Sequence, residues 1–139
     1  MSRQYIIASH AHFAEGIFES VKLLAGDRDD VSVLNAFVDG NDDVEAASRS
    51  LVESMPDDTD VVVLTDLMGG SVNNEFTKLM LARPNVYLVT NMNLPLLLTL
   101  FLSDEDEDTE SLLRQLVSSD EVRPRFVNDD SAIEEDEDF

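Results

Sequence analysis

A histidine and an aspartate each follow an apolar run of this chain. Residues 5–8 are apolar and His10 comes two positions later, while residues 61–64 are apolar and Asp66 comes two positions after them. An imidazole that is mostly neutral near pH 7 can attack through one ring nitrogen while the other donates a hydrogen bond. A carboxylate that accepts this bond fixes the tautomer and stabilises the positive charge that grows on the ring. His10 and Asp66 are therefore candidates for nucleophilic chemistry.

Two glycines and a serine come shortly after Asp66, in the order Gly69, Gly70, Ser71. The glycines allow the backbone to approach a ligand closely, and Ser71 adds a hydroxyl at the start of a predicted helix, where free N–H groups favour anions. Phosphoryl transfer relies chiefly on positioning and charge stabilisation. These residues together suit a phosphoryl group.

The elements that must position these residues alternate between strand and helix. Apolar runs predict strands at about residues 3–9, 31–38, 60–66 and 86–90, with helices between and after them. This alternation predicts an α/β fold with a doubly wound sheet of four parallel strands. Strand order reverses at one point of such a sheet, and ligands collect there at the carboxyl ends. We expect strands one and three to flank that point.

Apolar spacing predicts the buried faces of the helices. The first helix is expected to bury Phe13, Ile17, Val21 and Leu24, which are spaced by four, four and three residues. Residues 91–95 (NMNLP) are typical of a helix start. Residues 123–127 contain Pro124, which indicates a short edge strand. We expect one domain over residues 1–128 and an acidic, disordered tail over residues 129–139.

Composition limits the classes of function. The 139-residue chain has no cysteine and a formal net charge of -21, which argues against nucleic-acid binding because clustered Lys and Arg are absent. The longest apolar stretch, residues 94–102, contains a proline and is too short to cross a bilayer, and the N-terminus shows no leader pattern. We therefore expect a cytoplasmic protein. The acidic clusters indicate a solvated surface or, alternatively, a docking site for a basic partner.

Three motifs occur in a fixed order along the chain: IASH with FAEG at residues 7–10 and 13–16, LTDLMGGSVNN at residues 64–74, and NMNLP at residues 91–95. In this order they resemble one known family, the IIA component of the mannose family of the bacterial phosphoenolpyruvate-dependent sugar phosphotransferase system. The likeness spans about residues 2–128. Two features depart from the family pattern: Val72 stands where some members have proline, and the acidic tail has no counterpart.

The resemblance implies a phosphocarrier. His10 would accept a phosphoryl group through its ε2 nitrogen from the phosphohistidine of the carrier protein HPr, and would pass it to a separate IIB component that serves the IIC/IID permease. Asp66 would hold the δ1 nitrogen, and Ser71, Gly70 and Ala11 would bind the phosphate. No metal or cofactor is implied. The resemblance also implies a homodimer in which residues 123–127 are exchanged between subunits.

Other interpretations of the same residues stay open from the sequence. A related phosphocarrier that serves dihydroxyacetone kinase also has a histidine after strand one. A phosphate-sensing module could bind an anion at these helix ends without covalent chemistry. His10, His12 and Asp66 could ligate a metal, or Ser71, His10 and Asp66 could form a hydrolase triad, although Ser71 lacks the usual Gly-x-Ser-x-Gly setting.

Overall fold

The computed structural model describes residues 2–130, and in this part of the chain strands and helices alternate as expected. The strands are β1 (Arg3–His10), β2 (Val31–Ala36), β3 (Asp60–Thr65) and β4 (Val86–Val89). The helices are α1 (Phe13–Ala25), α2 (Val44–Glu53), α3 (Ser71–Ala82), α4 (Leu94–Phe101) and α5 (Thr109–Val117). Two short 3-10 turns follow, at Asp120–Val122 and Val127–Asp129.

The four strands form one parallel sheet in the order β2-β1-β3-β4. The chain passes from β1 to β2 on one side and then crosses to β3 on the other, so the order reverses between β1 and β3. Ala8 pairs with Thr65 in the register of these two strands, which places their carboxyl ends side by side. The predicted fold class and the predicted location of the reversal point are both confirmed.

Helices cover both faces of the sheet, and each face has its own hydrophobic core. Alternate residues of β1 and β3 point to opposite cores: Tyr5, Ile7, Val62 and Leu64 pack under α1, α4 and α5, whereas Ile6, Ala8, Val61 and Val63 pack under α2 and α3. Burial of both faces explains why these two strands are apolar without alternation. The Val, Ile and Leu side chains among them each contribute about 1.5–3 kcal/mol to folding when fully buried.

Two details of the predicted elements are wrong. Strand β2 ends at Ala36 rather than at residue 38, because Phe37 adopts a left-handed backbone conformation with φ 69° that no strand accommodates. Helix α1 buries Ala14 and Val21, whereas Phe13 and Leu24 are 49% and 61% exposed. The helix carries two neighbouring apolar stripes, and its approach to the sheet selects the stripe that contains the small Ala14.

The acidic segment between α4 and α5 is attached to the amino end of β1 through a buried arginine. Arg3 is only 3% exposed, and its Nε donates to Thr109 Oγ1 at 2.9 Å. Its two other nitrogens donate to the backbone carbonyls of Asp104 and Glu107. Thr109 Oγ1 in turn donates to Asp60 Oδ2 at 2.6 Å. The guanidinium therefore joins the start of the sheet to the start of α5.

The segment after α5 pairs with no strand within residues 2–130. Arg123 and Phe126 have extended backbone conformations, and Val127 already begins the second 3-10 turn. Exchange of this segment between subunits stays a prediction. Of the predicted disordered tail, Asp129 lies in that turn and Asp130 forms an ion pair with Arg125, while residues 131–139 lie outside the described part of the chain. No helix within residues 2–130 has the length and apolar character needed to span a membrane.

Candidate active site

The connection between β1 and α1 holds His10 at the carboxyl edge of the sheet. Ser9 is fully buried, and its hydroxyl accepts a hydrogen bond from the Ala14 amide at 2.7 Å and donates to the Ala11 carbonyl at 3.2 Å. Ala11 has a left-handed backbone with φ 52°, and its amide donates to Ala36 in β2 at 2.9 Å. This tight turn leaves the His10 side chain 38% exposed at the surface.

Asp66 contacts His10 twice, once through the backbone and once through the ring. Its Oδ2 accepts a hydrogen bond from the His10 amide at 2.9 Å and lies 2.9 Å from His10 Nδ1. Its Oδ1 accepts from the Leu67 amide at 3.0 Å. Burial acts to raise the pKa of Asp66, but the hydrogen bonds from His10 outweigh it and hold the pKa below the ordinary value.

The ionised carboxylate determines which ring nitrogen is free to react. Because Asp66 can only accept, the neutral imidazole carries its proton on Nδ1 and keeps the lone pair on Nε2. Within residues 2–130, Nε2 of His10 forms no hydrogen bond, so its lone pair is available to an incoming group. The predicted juxtaposition of His10 and Asp66 is thus present in the structure, with the nucleophilic nitrogen directed away from the carboxylate.

Gly70 packs against the edge of the imidazole, and only a residue without Cβ fits there. A Cβ placed at Gly70 would lie 2.9 Å from His10 Cε1 and 3.5 Å from Nε2. The backbone of Gly70 is extended, with φ -83° and ψ 164°, so glycine is required for space rather than for conformation. Gly69 is the opposite case, because its φ of 82° favours glycine while a Cβ there would meet nothing within 4 Å.

Phe37 covers one face of the imidazole, a contact that no sequence pattern predicted. The two rings are stacked with centroids 5.7 Å apart and an interplanar angle of 29°. Phe37 belongs to an apolar run that predicted strand, and nothing in the run signals its left-handed backbone. Leu67 and Met68, on the connection after Asp66, are 48% and 73% exposed. Exposed apolar side chains therefore lie on the face of the imidazole, at Phe37, and on the connection that follows Asp66, at Leu67 and Met68.

The other residues singled out from the sequence lie around this centre without bonding to it. Ser71 is the first residue of α3 and is exposed, and it forms no hydrogen bond with His10, so the geometry of a hydrolase triad is not present. His12 directs Nε2 to Asp39 Oδ2 at 2.7 Å rather than toward Asp66. Among residues 2–130, no group of three or more His, Cys, Asp or Glu side chains is arranged to hold a metal ion.

This arrangement defines a class of protein: a parallel α/β domain that can carry a group covalently on an imidazole nitrogen. The histidine and its carboxylate lie at the point where strand order reverses, and α3 begins beside them with first N–H groups that have no intrahelical partner and favour an anion. A phosphoryl group is the anion whose transfer such a nucleophile and such helix ends would serve.

Comparison with known proteins identifies the family. Residues 4–117 match the family model EIIA-man, which is described as the fructose IIA component of the phosphotransferase system. The chain belongs to this family of IIA components, which confirms the resemblance seen in its sequence motifs. Membership gives it a phosphotransfer role in the sugar phosphotransferase system.

Solved structures agree with this assignment. A protein from Klebsiella pneumoniae, described as a candidate permease of the phosphoenolpyruvate-dependent sugar phosphotransferase system, is 36% identical with a TM-score of 0.86 over 93% of each chain. A IIA protein associated with the fucose utilization operon of Streptococcus pneumoniae is 31% identical with a TM-score of 0.73, over 84% of this chain and 87% of the other. The mannose/sorbose-specific IIA subunit of Enterococcus faecalis shares the fold, with 24% identity, a TM-score of 0.74 and coverage of 84% and 88%.

Proposed function

We propose that this protein is a cytoplasmic phosphocarrier that accepts a phosphoryl group on His10 Nε2 from phosphorylated HPr and passes it to a IIB component. One observation carries the proposal: Asp66 Oδ2 lies 2.9 Å from His10 Nδ1, which leaves Nε2 as the nucleophile on a partly exposed ring. The sugar is recognised elsewhere in the system, by the IIC/IID permease that IIB serves, so this chain needs only to handle phosphate.

The transfer itself exchanges one P–N bond for another. The Nε2 lone pair of His10 attacks the phosphorus, and the bond from phosphorus to the donor imidazole breaks with its electron pair returning to the donor ring. The product ring carries phosphorus on Nε2 and hydrogen on Nδ1, and its positive charge is stabilised by the Asp66 carboxylate. Transfer to IIB is the same step in reverse direction, so neither step requires a metal or cofactor.

The surroundings of His10 are suited to hold the phosphoryl oxygens. Gly70 leaves open space next to Cε1 and Nε2 of the ring, and the amides at the start of α3 follow it directly. We assign phosphate binding to Gly70, to the Ser71 hydroxyl and to Ala11, whose left-handed backbone shapes the turn after His10. These groups act by hydrogen bonding and by the dipole of the helix N-terminus.

Protein donors and acceptors need a surface on which to dock, and the exposed apolar residues around His10 provide one. Phe37, which stacks on the histidine, and Leu67 and Met68, on the connection after Asp66, are between 46% and 73% exposed. Apolar and aromatic side chains of this kind are enriched in the centres of protein interfaces. We assign docking of HPr and of IIB to this surface. The net charge of -21 argues against a nucleic-acid partner.

We also propose that the chain forms a homodimer through the free edge of the sheet. β4 is the outer strand on its side, and an open groove of about 280 Å³ along it is lined by Met80, Tyr87, Leu113 and Val117 among others. An unpaired strand edge is a template for another strand. The extended segment at residues 123–127 of a second copy would supply that strand. Sedimentation at micromolar concentration tests this: a dimer for the whole chain, and a monomer after removal of residues 123–139.

Labelling separates the phosphocarrier from its alternatives. The protein is incubated with radioactive phosphoenolpyruvate, enzyme I and HPr, and the expected product is a phosphoramidate on His10 that is labile to acid and stable to base. His10→Ala should take up no label. His12 is the matched control because the chain has only these two histidines: His12→Ala should still take up label on His10, at a lower rate because its contact with Asp39 beside the site is lost.

The fate of the label identifies the acceptor. Loss of the label upon addition of IIB supports the proposal, whereas loss only upon addition of dihydroxyacetone kinase would assign the chain to that system instead. Reversible phosphate binding without any adduct would indicate a phosphate sensor and would contradict the carrier function.

A further inference from the structure

Three contacts hold the imidazole of His10, and two of them still allow the plane of the ring to tilt. Asp66 Oδ2 fixes the Nδ1 edge at 2.9 Å, and Gly70 lies against the Cε1 edge. Both contacts act at the rim of the ring. A hydrogen bond at the rim tolerates tilting of the ring plane, since hydrogen-bond angles vary broadly. Tilting would swing Nε2 out of line with an incoming phosphorus, so a contact on the face of the ring is needed to prevent it.

Phe37 makes that contact, and its backbone adopts an unfavourable conformation to do so. The Phe37 ring stacks on the imidazole at 5.7 Å between centroids. Its φ of 69° is a conformation that costs free energy for any residue other than glycine. The side chain nevertheless remains 46% exposed, so burial of the ring does not account for the conformation. The stacking on His10 is the contact that the strained backbone provides.

The loop that carries Phe37 is itself fixed in place. The Phe37 loop, residues 37–41, contains two further left-handed residues, Asp39 and Gly40. It is closed by a hydrogen bond from the Phe37 amide to the Asn41 carbonyl at 2.8 Å. Asp39 Oδ2 lies 2.7 Å from Nε2 of His12, which joins the loop to the turn that follows His10. This bond gives His12 a structural task close to the site.

We propose that Phe37 is a positioning residue for phosphoryl transfer, which keeps the imidazole plane of His10 oriented so that Nε2 faces the incoming phosphorus. The inference rests on the proposed function, because it assumes that His10 is the residue that is phosphorylated. The His12–Asp39 bond supports the same orientation by holding the Phe37 loop over the turn after His10. Phe37 thus acts through His10 and does not itself contact the transferred group.

Three substitutions at position 37 separate positioning from folding. Phe37→Gly removes the ring but accepts the left-handed backbone without strain, so the melting temperature should change little while transfer slows. Phe37→Tyr and Phe37→Trp keep an aromatic face and should restore the rate to within about twofold of the unmodified protein. Leu23→Ala is the control for an exposed apolar residue away from the site, because Leu23 is 85% exposed in α1.

Two phosphoryl donors separate positioning from docking. Phosphorylated HPr needs a docking surface, whereas phosphoramidate is a small donor that does not. We expect Phe37→Gly to slow labelling of His10 by about three- to tenfold with both donors, the range that loss of an aromatic contact would produce. Because Phe37 also belongs to the proposed docking surface, the small donor is decisive: slowing with phosphorylated HPr alone would mean that Phe37 serves in docking only and would overturn the positioning role, as would wild-type rates with both donors.

An NMR measurement tests the positioning without any phosphoryl transfer. With ¹⁵N-histidine labelling, the ring signals come from only two imidazoles, those of His10 and His12. The Nδ1–H of His10 should exchange with water faster in Phe37→Gly than in the unmodified protein. Unchanged exchange and unchanged ring relaxation would refute the positioning role. If the unmodified protein accepted no phosphoryl group from either donor, the proposed function would fail, while this measurement would still decide whether Phe37 orients the ring.

Discussion

Gly70→Ala should slow phosphoryl transfer strongly while changing the fold little. The added Cβ would lie 2.9 Å from His10 Cε1, whereas carbon atoms pack at about 3.5–4.0 Å. The imidazole must therefore move by about 0.6–1 Å. The added Cβ would also lie 3.1 Å from Leu67 Cδ1, which is the free end of an exposed side chain and moves at little cost.

A displacement of this size disturbs the ring in one of two ways. Either the 2.9 Å contact between Nδ1 and Asp66 Oδ2 stretches beyond hydrogen-bonding distance, or the contact is kept and Nε2 turns away from the incoming phosphorus. Misplacement of a reacting atom by about 1 Å can cost on the order of a hundredfold in rate. We expect phosphorylation of His10 to slow by about ten- to a hundredfold. Stability should fall by only about 1 kcal/mol, because alanine accepts the extended backbone but is a poorer N-cap than glycine.

Gly69→Ala is the matched control, since its effects should be reversed. Its Cβ would meet nothing within 4 Å, but its φ of 82° would strain alanine by about 1–2 kcal/mol. Melting temperature should therefore fall more in Gly69→Ala, and the single-turnover rate of labelling should fall more in Gly70→Ala. A Gly70→Ala protein that is labelled at the unmodified rate would show that the ring of His10 does not rest against position 70, and the account of the site would have to be abandoned.

Three further predictions concern charge. Asp66→Asn should slow labelling about a hundredfold, because the amide can donate to Nδ1 and so shift the proton to Nε2. The folded-state pKa of Asp66 is lowered, so its stabilising effect is complete above the unfolded pKa of about 4 and is lost as the pH falls through the folded value. In denaturant titrations from pH 7 to 3, the stability advantage of the unmodified protein over Asp66→Asn should therefore shrink as the pH falls. Arg3→Met should lower the free energy of unfolding by about 2–4 kcal/mol, because buried partners lose their donor, whereas Arg49→Met, in an exposed pair with Glu45, should cost less than about 0.5 kcal/mol. Raising the salt from 0.05 to 1 M should raise the melting temperature by about 5 °C or more, because salt screens the repulsion within a chain of net charge -21. The same melting temperature at both salt concentrations would contradict this.

The strand ends could be located from the sequence because continuous apolar runs mark β1 and β3. Parallel strands that are buried on both faces have continuous apolar runs, and the residue that follows each run must lie at the carboxyl edge. His10 and Asp66 meet there because β1 and β3 are neighbours on either side of the reversal point. No long-range contact had to be guessed beyond the order of two strands.

Phe37 could not be found in this way, because its conformation is imposed by tertiary contacts. Phenylalanine favours strands, and the preceding residues do form β2, so local preference predicts that the strand continues. The left-handed turn depends on the hydrogen bond from the Phe37 amide to the Asn41 carbonyl and on the stacking of Phe37 on His10 across the sheet edge. The stripe of α1 was missed for a similar reason: two stripes were equally apolar, and the distance of the helix from the sheet selected the one with Ala14.

The charge of the chain raises the question of how an anionic phosphoryl group can approach a protein of net charge -21. The acidic segment and His10 lie at opposite ends of β1. The hydrogen bonds of Arg3 hold the acidic segment at residues 104–108 beside the amino end of β1, whereas His10 ends the same strand. Seven steps of about 3.3 Å separate these ends, or roughly 23 Å. This distance exceeds two Debye lengths at about 0.15 M salt, so the cluster is screened from the site, where the N-terminus of α3 favours an anion.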